Sequence, residues 1–336
     1  MHIGRYMSVE ISVIMSVYNT KEEYLRDAIN SILNQTFKNF EFIIINDCSD
    51  EKTTQILESY SVLDKRIILI ANSQNLGLTE SLNIGLSKSS GKYIARMDAD
   101  DISFSDRFEK QYRYMEKHQD IDVLGGWVKV GKRINKSFGK AGTKWRQVRM
   151  MIENAGICHS TAFIRKEFLD ENNLKYDVNI KKSQDYDLWC RCVDVGNLKV
   201  MPRLILKYRV HDEQISIKNM DEQEYYIRVI RKKRLDNLKF QYTKKELEQF
   251  LNMSKEVLSA EELDAFFEKI ISNNKKNNIL DNRILRYELT KEWMKILIGK
   301  YERNNIKEYI RTKWVSTFLN PIYGIWFVYN HILRRI

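Results

Sequence analysis

Three carboxylates crowd one short stretch of this chain. Asp98, Asp100 and Asp101 close the segment 92–101 and directly follow the apolar run Tyr93-Ile94-Ala95, which has the pattern of a buried strand. Residues two apart in an extended chain point the same way, so Asp98 and Asp100 can face one site together. Two acids converging at a strand's carboxyl end repel each other unless a cation lies between them. Hard oxygen donors suit Mg²⁺ or Mn²⁺, and Mg²⁺ is usually held by one or two carboxylates plus substrate phosphates. A solvated acidic turn is the plain alternative, and Asp-x-Asp by itself does not decide between the two.

The elements that must position these acids are legible upstream. Residues 11–17 form a β-branched run ended by Tyr18-Asn19, and residues 40–45 form a second, stopping at Asn46-Asp47. A strand-like stretch follows at 67–70. Helical spacing marks 22–34, with Leu25, Ala28, Ile29, Ile32 and Leu33 on one stripe, and then 53–60 and 79–88. This alternation predicts a mostly parallel, doubly wound α/β sheet. Such sheets bind ligands beyond the carboxyl ends of their strands, where Tyr18-Asn19, Asp47 and Asp98/Asp100 would share one crevice.

Composition bounds the rest. With 336 residues, 43% of them hydrophobic, the chain can bury a real core and is not disordered. Cys48, Cys158, Cys190 and Cys192 show neither metal-ligand nor disulfide spacing, which predicts a reducing, cytoplasmic setting. Residues 1–10 lack the apolar core of an export signal, and no apolar run reaches membrane-spanning length. Charge is uneven: residues 216–336 carry 24 Lys+Arg against 16 Asp+Glu, a surplus of +8 out of the chain's +11. The shift predicts a catalytic domain over 1–215 and a basic, helical region over 216–336, facing an anionic partner.

Taken in order, the strand-end motifs resemble glycosyltransferase family 2, the inverting nucleotide-sugar enzymes with the GT-A fold. The matching segments are 12–19, 43–47, Asn75-Leu76-Gly77-Leu78 with Leu82-Asn83, and Arg96–Asp101. His159-Ser160, Ser183–Trp189, and Tyr208–His211 ahead of Ser216 complete the set. The resemblance covers roughly residues 10–216. It implies that Val17, Tyr18, Asn19, Asp47 and Asn75 hold the nucleotide of a UDP-sugar, with Asp47 accepting from uracil or ribose. It implies a divalent metal, Mn²⁺ or Mg²⁺, with Asp100 as direct ligand and Asp98 nearer the ribose and diphosphate. Metal across the phosphates would stabilise the charge of the departing nucleoside diphosphate. Ser16 stands where the family often has Pro.

The same resemblance makes Asp185 the general base, in a motif whose first acid is here Gln184. A base must come within about 2.6–3.2 Å of the acceptor hydroxyl, directly or through a water. Read from the residues alone, Asp185 is equally a helix-start carboxylate favoured by the dipole. His211 either closes a strand or reaches back to the metal, joining Asp98 and Asp100 in the metal set. His159 matches a loop facing acceptor and diphosphate, and Arg96 either approaches the phosphates or balances the acids. Tyr186 and Trp189 either stack on a sugar or pack the core.

Beyond residue 216 the chain reads as helices over 225–230, 247–251, 261–271 and 284–298, with Asn273–Asn278 as a polar linker. The tail 314–336 is rich in aromatics and ends on Arg334-Arg335. It suits the inner face of a cell membrane, where a polyprenyl-diphosphate-linked glycan acceptor of surface-polysaccharide synthesis would be presented. Packing on the domain, or on a second copy in a homo-oligomer, is the alternative. No nucleic-acid module is recognisable. A nucleotidyl- or phosphotransferase would use the same metal logic, but no Gly-x-x-x-x-Gly-Lys loop is present. A non-catalytic assembly subunit would not need Asp47, Asp100 and Asp185 together.

Overall fold

The computed structural model describes residues 8–135, 142–154, 156–211, 220–253 and 257–300. By packing, the chain divides into two compact units: 1–146 with 154–230, and 147–153 with 231–336. The charge-based boundary at 215/216 and the tail 314–336 lie outside the described residues.

The first unit opens as the sequence predicts. β1 (Ile11–Val17), β2 (Phe40–Asn46), β3 (Ile67–Ala71) and β4 (Tyr93–Arg96) alternate with α1 (Glu22–Leu33), α2 (Glu51–Leu63) and α3 (Leu78–Lys88). Their spatial order is β3-β2-β1-β4, all parallel. β1 and β2 are buried on both faces, so they read as unbroken apolar runs. The stripe on α1 buries Leu25, Ala28, Ile29 and Ile32. α3 lies so close to β1 that a Cβ on Gly85 would stand 2.5 Å from Ile14 Cγ2.

Past β4 the sheet changes character. β5 (Ile102–Ser103), α4 (Arg107–Lys117), β6 (Val123–Val130), β7 (Arg133–Asn135) and α5 (Thr143–Arg149) follow. After a 3₁₀ turn at His159–Thr161 come β8 (Phe163–Arg165), α6 (Lys166–Glu171), α7 (Gln184–Val195) and β9 (Leu198–Tyr208). The sheet continues β4-β8-β6-β9-β5. β8 is antiparallel to both β4 and β6, β9 is parallel to β6, and β5 is antiparallel to β9. The parallel, doubly wound half is therefore the expected one, and a mixed half extends it.

In register, Val17 meets Asn46 and Ile14 meets Arg96. Val17, Asn46 and Arg96 each end their strand, so their following residues emerge at the sheet's carboxyl edge. The β5–β9 pairing, Ile102 with Lys207, brings Arg209 and His211 back to the same edge beside Asp100-Asp101.

The second unit is helical. α8 (Met220–Asp236) ends in it, followed by α9 (Lys244–Leu251), α10 (Ala260–Asn277) and α11 (Asn282–Lys300). Capping boxes start α9 (Thr243/Glu246) and α10 (Ser259/Glu262). Val148, Met151 and Ile152 join its core of Phe250, Phe266, Phe267, Leu285 and Trp293. The polar linker expected at 273–278 is instead the last turn of α10, closed by Asn278 at φ 48°. Asn274 is fully buried, because its amide accepts from Leu280 N (2.9 Å) and donates to Leu280 O (2.9 Å) and Asn282 Oδ1 (2.8 Å).

One buried ion network lies in this unit. Arg149 bonds Glu288 Oε2 at 2.6 Å and Glu292 Oε1 at 3.0 Å, all three nearly inaccessible. Removing the Arg149 cation leaves the two buried carboxylates only the partly exposed Lys291 (3.4 Å from Glu288) and Lys295 (2.8 Å from Glu292). Arg149→Met should therefore cost about 3–5 kcal/mol in denaturant unfolding, and a loss under about 1 kcal/mol would mean the network behaves like a surface pair.

Candidate active site

The three acids at the end of β4 lie in three different environments. Arg96, buried within β4, bonds one oxygen of Asp98, and the Ser160 hydroxyl donates to the other. Burial works to raise the Asp98 carboxyl, but Arg96 and Ser160 outweigh it and hold the group below the usual carboxylate range. Asp100 Oδ2 meets His211 Nε2 at 2.9 Å. Burial and then the Asp98 charge raise Asp100, against the pull of His211. Asp101 is fully buried, accepts from the Arg209 N–H at 3.0 Å, and is pushed up to about 8 by burial and then by Asp98. The cluster thus carries more acid than it can ionise without added positive charge.

The donor set bears on a metal. Among the described residues no group of three His, Cys, Asp or Glu side chains is arranged to hold an ion. Both oxygens of Asp98 are engaged by Arg96 and Ser160. Asp100 and His211 remain as an adjacent oxygen and imidazole nitrogen, a pair that fits Mg²⁺ or Mn²⁺ if phosphate oxygens and water complete the shell.

At the end of β2, Asp47 is tied to the loop beside it. Its side chain is buried, and its oxygens already accept three hydrogen bonds: Asn72 Nδ2 (2.7 Å), Leu76 N (2.8 Å) and Gly77 N (2.8 Å). Asn75 Nδ2 donates to the Asp47 carbonyl at 3.3 Å. Asp47 thereby shapes the 72–77 loop, which turns into α3 at Gly77 (φ 84°). The Val17 carbonyl accepts from Asp47 N at 2.9 Å. Asn19, at φ 47°, accepts from Asp50 N at 2.8 Å through its side chain. These bonds tie the β1 and β2 ends together and leave Tyr18, 54% exposed, as the aromatic face they present.

Asp185 sits in the first turn of α7, after Ser183 in the left-handed region (φ 58°). Burial raises it to about 6; Asp98 adds to the rise and the Tyr186 N–H opposes it. Asp187, in the same first turn, is buried and paired to Arg191 at 2.7 Å. His159 Nε2 shares a 2.7 Å hydrogen bond with Tyr176 OH and meets Trp189 edge-on. Burial, then the Arg96 charge, lowers His159 to about 3, so its imidazole is neutral near pH 7. Tyr186 and Trp189 are fully buried and pack the core rather than facing a sugar.

Sequence reasoning passed over Tyr176 and Arg209. Tyr176 lies in an irregular loop with no periodic signal, and Asn83 on α3 fixes it by two bonds, N to Oδ1 at 3.0 Å and Nδ2 to O at 2.9 Å. The pairing of Asn83 with a loop 93 residues away is invisible in one dimension. Arg209 stood inside a recognised motif but without a role.

Comparison with known proteins fits this arrangement. Residues 12–172 match the family described as glycosyl transferase family 2. An uncharacterized glycosyltransferase of Methanocaldococcus jannaschii is 36% identical over 230 residues, covering 67% of this chain and 79% of that protein. One of Haemophilus influenzae is 37% identical over 219 residues, covering 61% and 67%. Among solved structures, residues 1–349 of S. aureus TarS in complex with UDP-GlcNAc superimpose with TM-score 0.58 at 18% identity, over 86% of this chain and 89% of that one. A longer TarS chain is covered over 54% of its length. Parallel strands ending in acids, a mixed sheet extension and these relatives agree: the chain belongs to glycosyltransferase family 2.

Proposed function

We propose that the enzyme transfers a hexose or N-acetylhexosamine from a UDP-sugar to a hydroxyl of a glycan acceptor, with inversion to a β-glycoside. One observation carries this reading: Asp98, held ionised by Arg96 and Ser160, and Asp185, raised to about 6, stand on separate elements around Arg96. Asp100 and Asp101, also raised by burial and by Asp98, form with Asp98 a cluster that needs added positive charge, while Asp185 comes from a separate element, the start of α7. Groups whose environments set them apart in this way take different jobs in catalysis.

Asp185 is ionised at neutral pH yet retains enough basicity to take the proton of an acceptor hydroxyl as it attacks the anomeric carbon. Attack from the side opposite the diphosphate inverts that carbon. Asp100 and His211 would hold the divalent cation, which supplies positive charge to the departing diphosphate. Arg96 fixes Asp98, and burial together with the Arg96 charge keeps His159 neutral, so the imidazole–Tyr176 pair offers hydrogen bonds without adding charge. With Asp47 committed to its loop, Tyr18 takes the base by stacking, and the loop Asp47 shapes frames the pocket. The UDP-GlcNAc complex of TarS supports a UDP donor of the N-acetylhexosamine class.

A lipid-linked acceptor on the inner face of the membrane, in surface-polysaccharide synthesis, fits the basic surplus of residues 216–336. No described helix is long and apolar enough to cross a membrane; the attachment we propose is peripheral and electrostatic. Binding to anionic vesicles should then fall steeply with salt and on deletion of residues 314–336. Indifference to such vesicles at low salt would remove the membrane assignment.

A panel of nucleotide sugars should release UDP from a UDP-hexose or UDP-N-acetylhexosamine, and preference for a GDP- or CMP-sugar would contradict the donor assignment. Asp100→Ala should lose turnover while keeping the fold. Retention of more than about a tenth of wild-type kcat, a barrier change below roughly 1.4 kcal/mol, would remove Asp100 from the mechanism.

The base has its own signature. It works deprotonated, so kcat/KM should fall about ten-fold per pH unit below about 6 and level off above it. Asp185→Asn should lower kcat by about 10²–10⁴ and abolish that limb while leaving UDP affinity nearly unchanged. A wild-type profile flat from pH 5 to 8, to within about two-fold, would assign the proton to another group.

A further inference from the structure

Arg209 makes an unusual set of contacts just past the end of β9. Its Nε donates to the Asp100 carbonyl at 2.9 Å, and its backbone N–H to Asp101 Oδ1 at 3.0 Å. The far end of the guanidinium pairs with Asp27 of α1 at 2.7 Å. Its plane lies 4.2 Å over the ring of Tyr24, also on α1. The His211 ring contacts that same Tyr24 with centroids 4.9 Å apart, while its Nε2 meets Asp100. One aromatic thus serves both side chains. The main chain and a side chain of the acidic segment are both tied to Arg209, two residues ahead of the histidine.

We propose that Arg209 is a positioning residue: clamped between Asp27 and Tyr24, it fixes the β9 end against Asp100-Asp101 and so delivers the His211 imidazole to the Asp100 carboxylate. The fork shape of Arg suits this task, since it bonds Asp27 and the Asp100 carbonyl at once while stacking on a ring. Partners behind a ligand set its orientation, and their loss costs about 10–100-fold in metal affinity. The inference rests on the proposed Asp100–His211 metal pair for its consequence, but the delivery of His211 stands on the contacts alone.

Two readouts on the full chain separate these levels. In ¹⁵N-histidine-labelled protein without metal, with His211 assigned through His211→Gln, Arg209→Gln and Asp27→Asn should each move the His211 ring signals toward those of a free imidazole. Calorimetry should then show the gain in UDP affinity on adding Mn²⁺ reduced about ten-fold or more in Arg209→Gln, and less in Asp27→Asn, with affinity in EDTA unchanged. A purely structural arginine would lower the melting temperature of both variants and leave the His211 signals and the Mn²⁺ gain as in wild type. That result overturns the proposal. If wild type itself gains nothing from Mn²⁺, the metal assignment fails, and the His211 signals still decide the role of Arg209.

Discussion

Everything in the catalytic unit answers to one electrostatic constraint: three carboxylates within four positions at a strand's end. Two unit charges 4 Å apart at an effective dielectric of 20 interact by about 4 kcal/mol, so the acids cannot share the edge uncompensated. The fold gathers cationic and hydrogen-bonding side chains around them from several directions. Arg96 comes from within β4, Arg209 and His211 from the end of β9, and Arg107, fully buried at the start of α4, donates to the Arg96 and Ala162 carbonyls behind them. Even so, Asp100 and Asp101 hold their protons above the usual range. An acidic site short of positive charge is one that a cation and a diphosphate can enter together.

The same constraint explains why the mixed half of the sheet exists where it does. The parallel strands alone would leave the acids facing open solvent. β8 places Ser160 and His159 beside Asp98 through the turn that precedes it, and β9, paired with β5, returns Arg209 and His211 to the acids. α7 carries Asp185 toward the same centre, near enough for Asp98 and Arg96 to act on its carboxyl. Leaving group and attacking hydroxyl would thus be served by different elements, the end of β4 and the start of α7, each with its own electrostatic environment.

The parallel half was legible because strands buried on both faces read as unbroken β-branched runs, as in β1 and β2. The mixed half was legible only at the end of β9, where 205–210 reads as a strand. β8 has three residues, and β6 carries Gly125-Gly126 and shifts register against β9 around Trp127, which erases any period of two. Motifs singled out Asp98, Asp100, Asp185 and His211, but composition could not tell that the Asp47 carboxylate accepts from backbone donors of its neighbouring loop. At 273–278, asparagines and lysines hid a helix end, because the amide that makes Asn274 look like loop chemistry satisfies the backbone of the following turn.

The central claim is a division of labour: the acids at the end of β4 serve the leaving diphosphate, and Asp185 alone activates the acceptor, so the sugar is transferred in a single displacement. Its most direct measurement is the anomeric configuration of the product, read from proton coupling in the NMR spectrum after transfer from an α-linked UDP-sugar. A β-linked product is the expected result. An α-linked product would mean that the attacking group meets the sugar from the same side as the diphosphate, and the roles given to these carboxylates would be wrong.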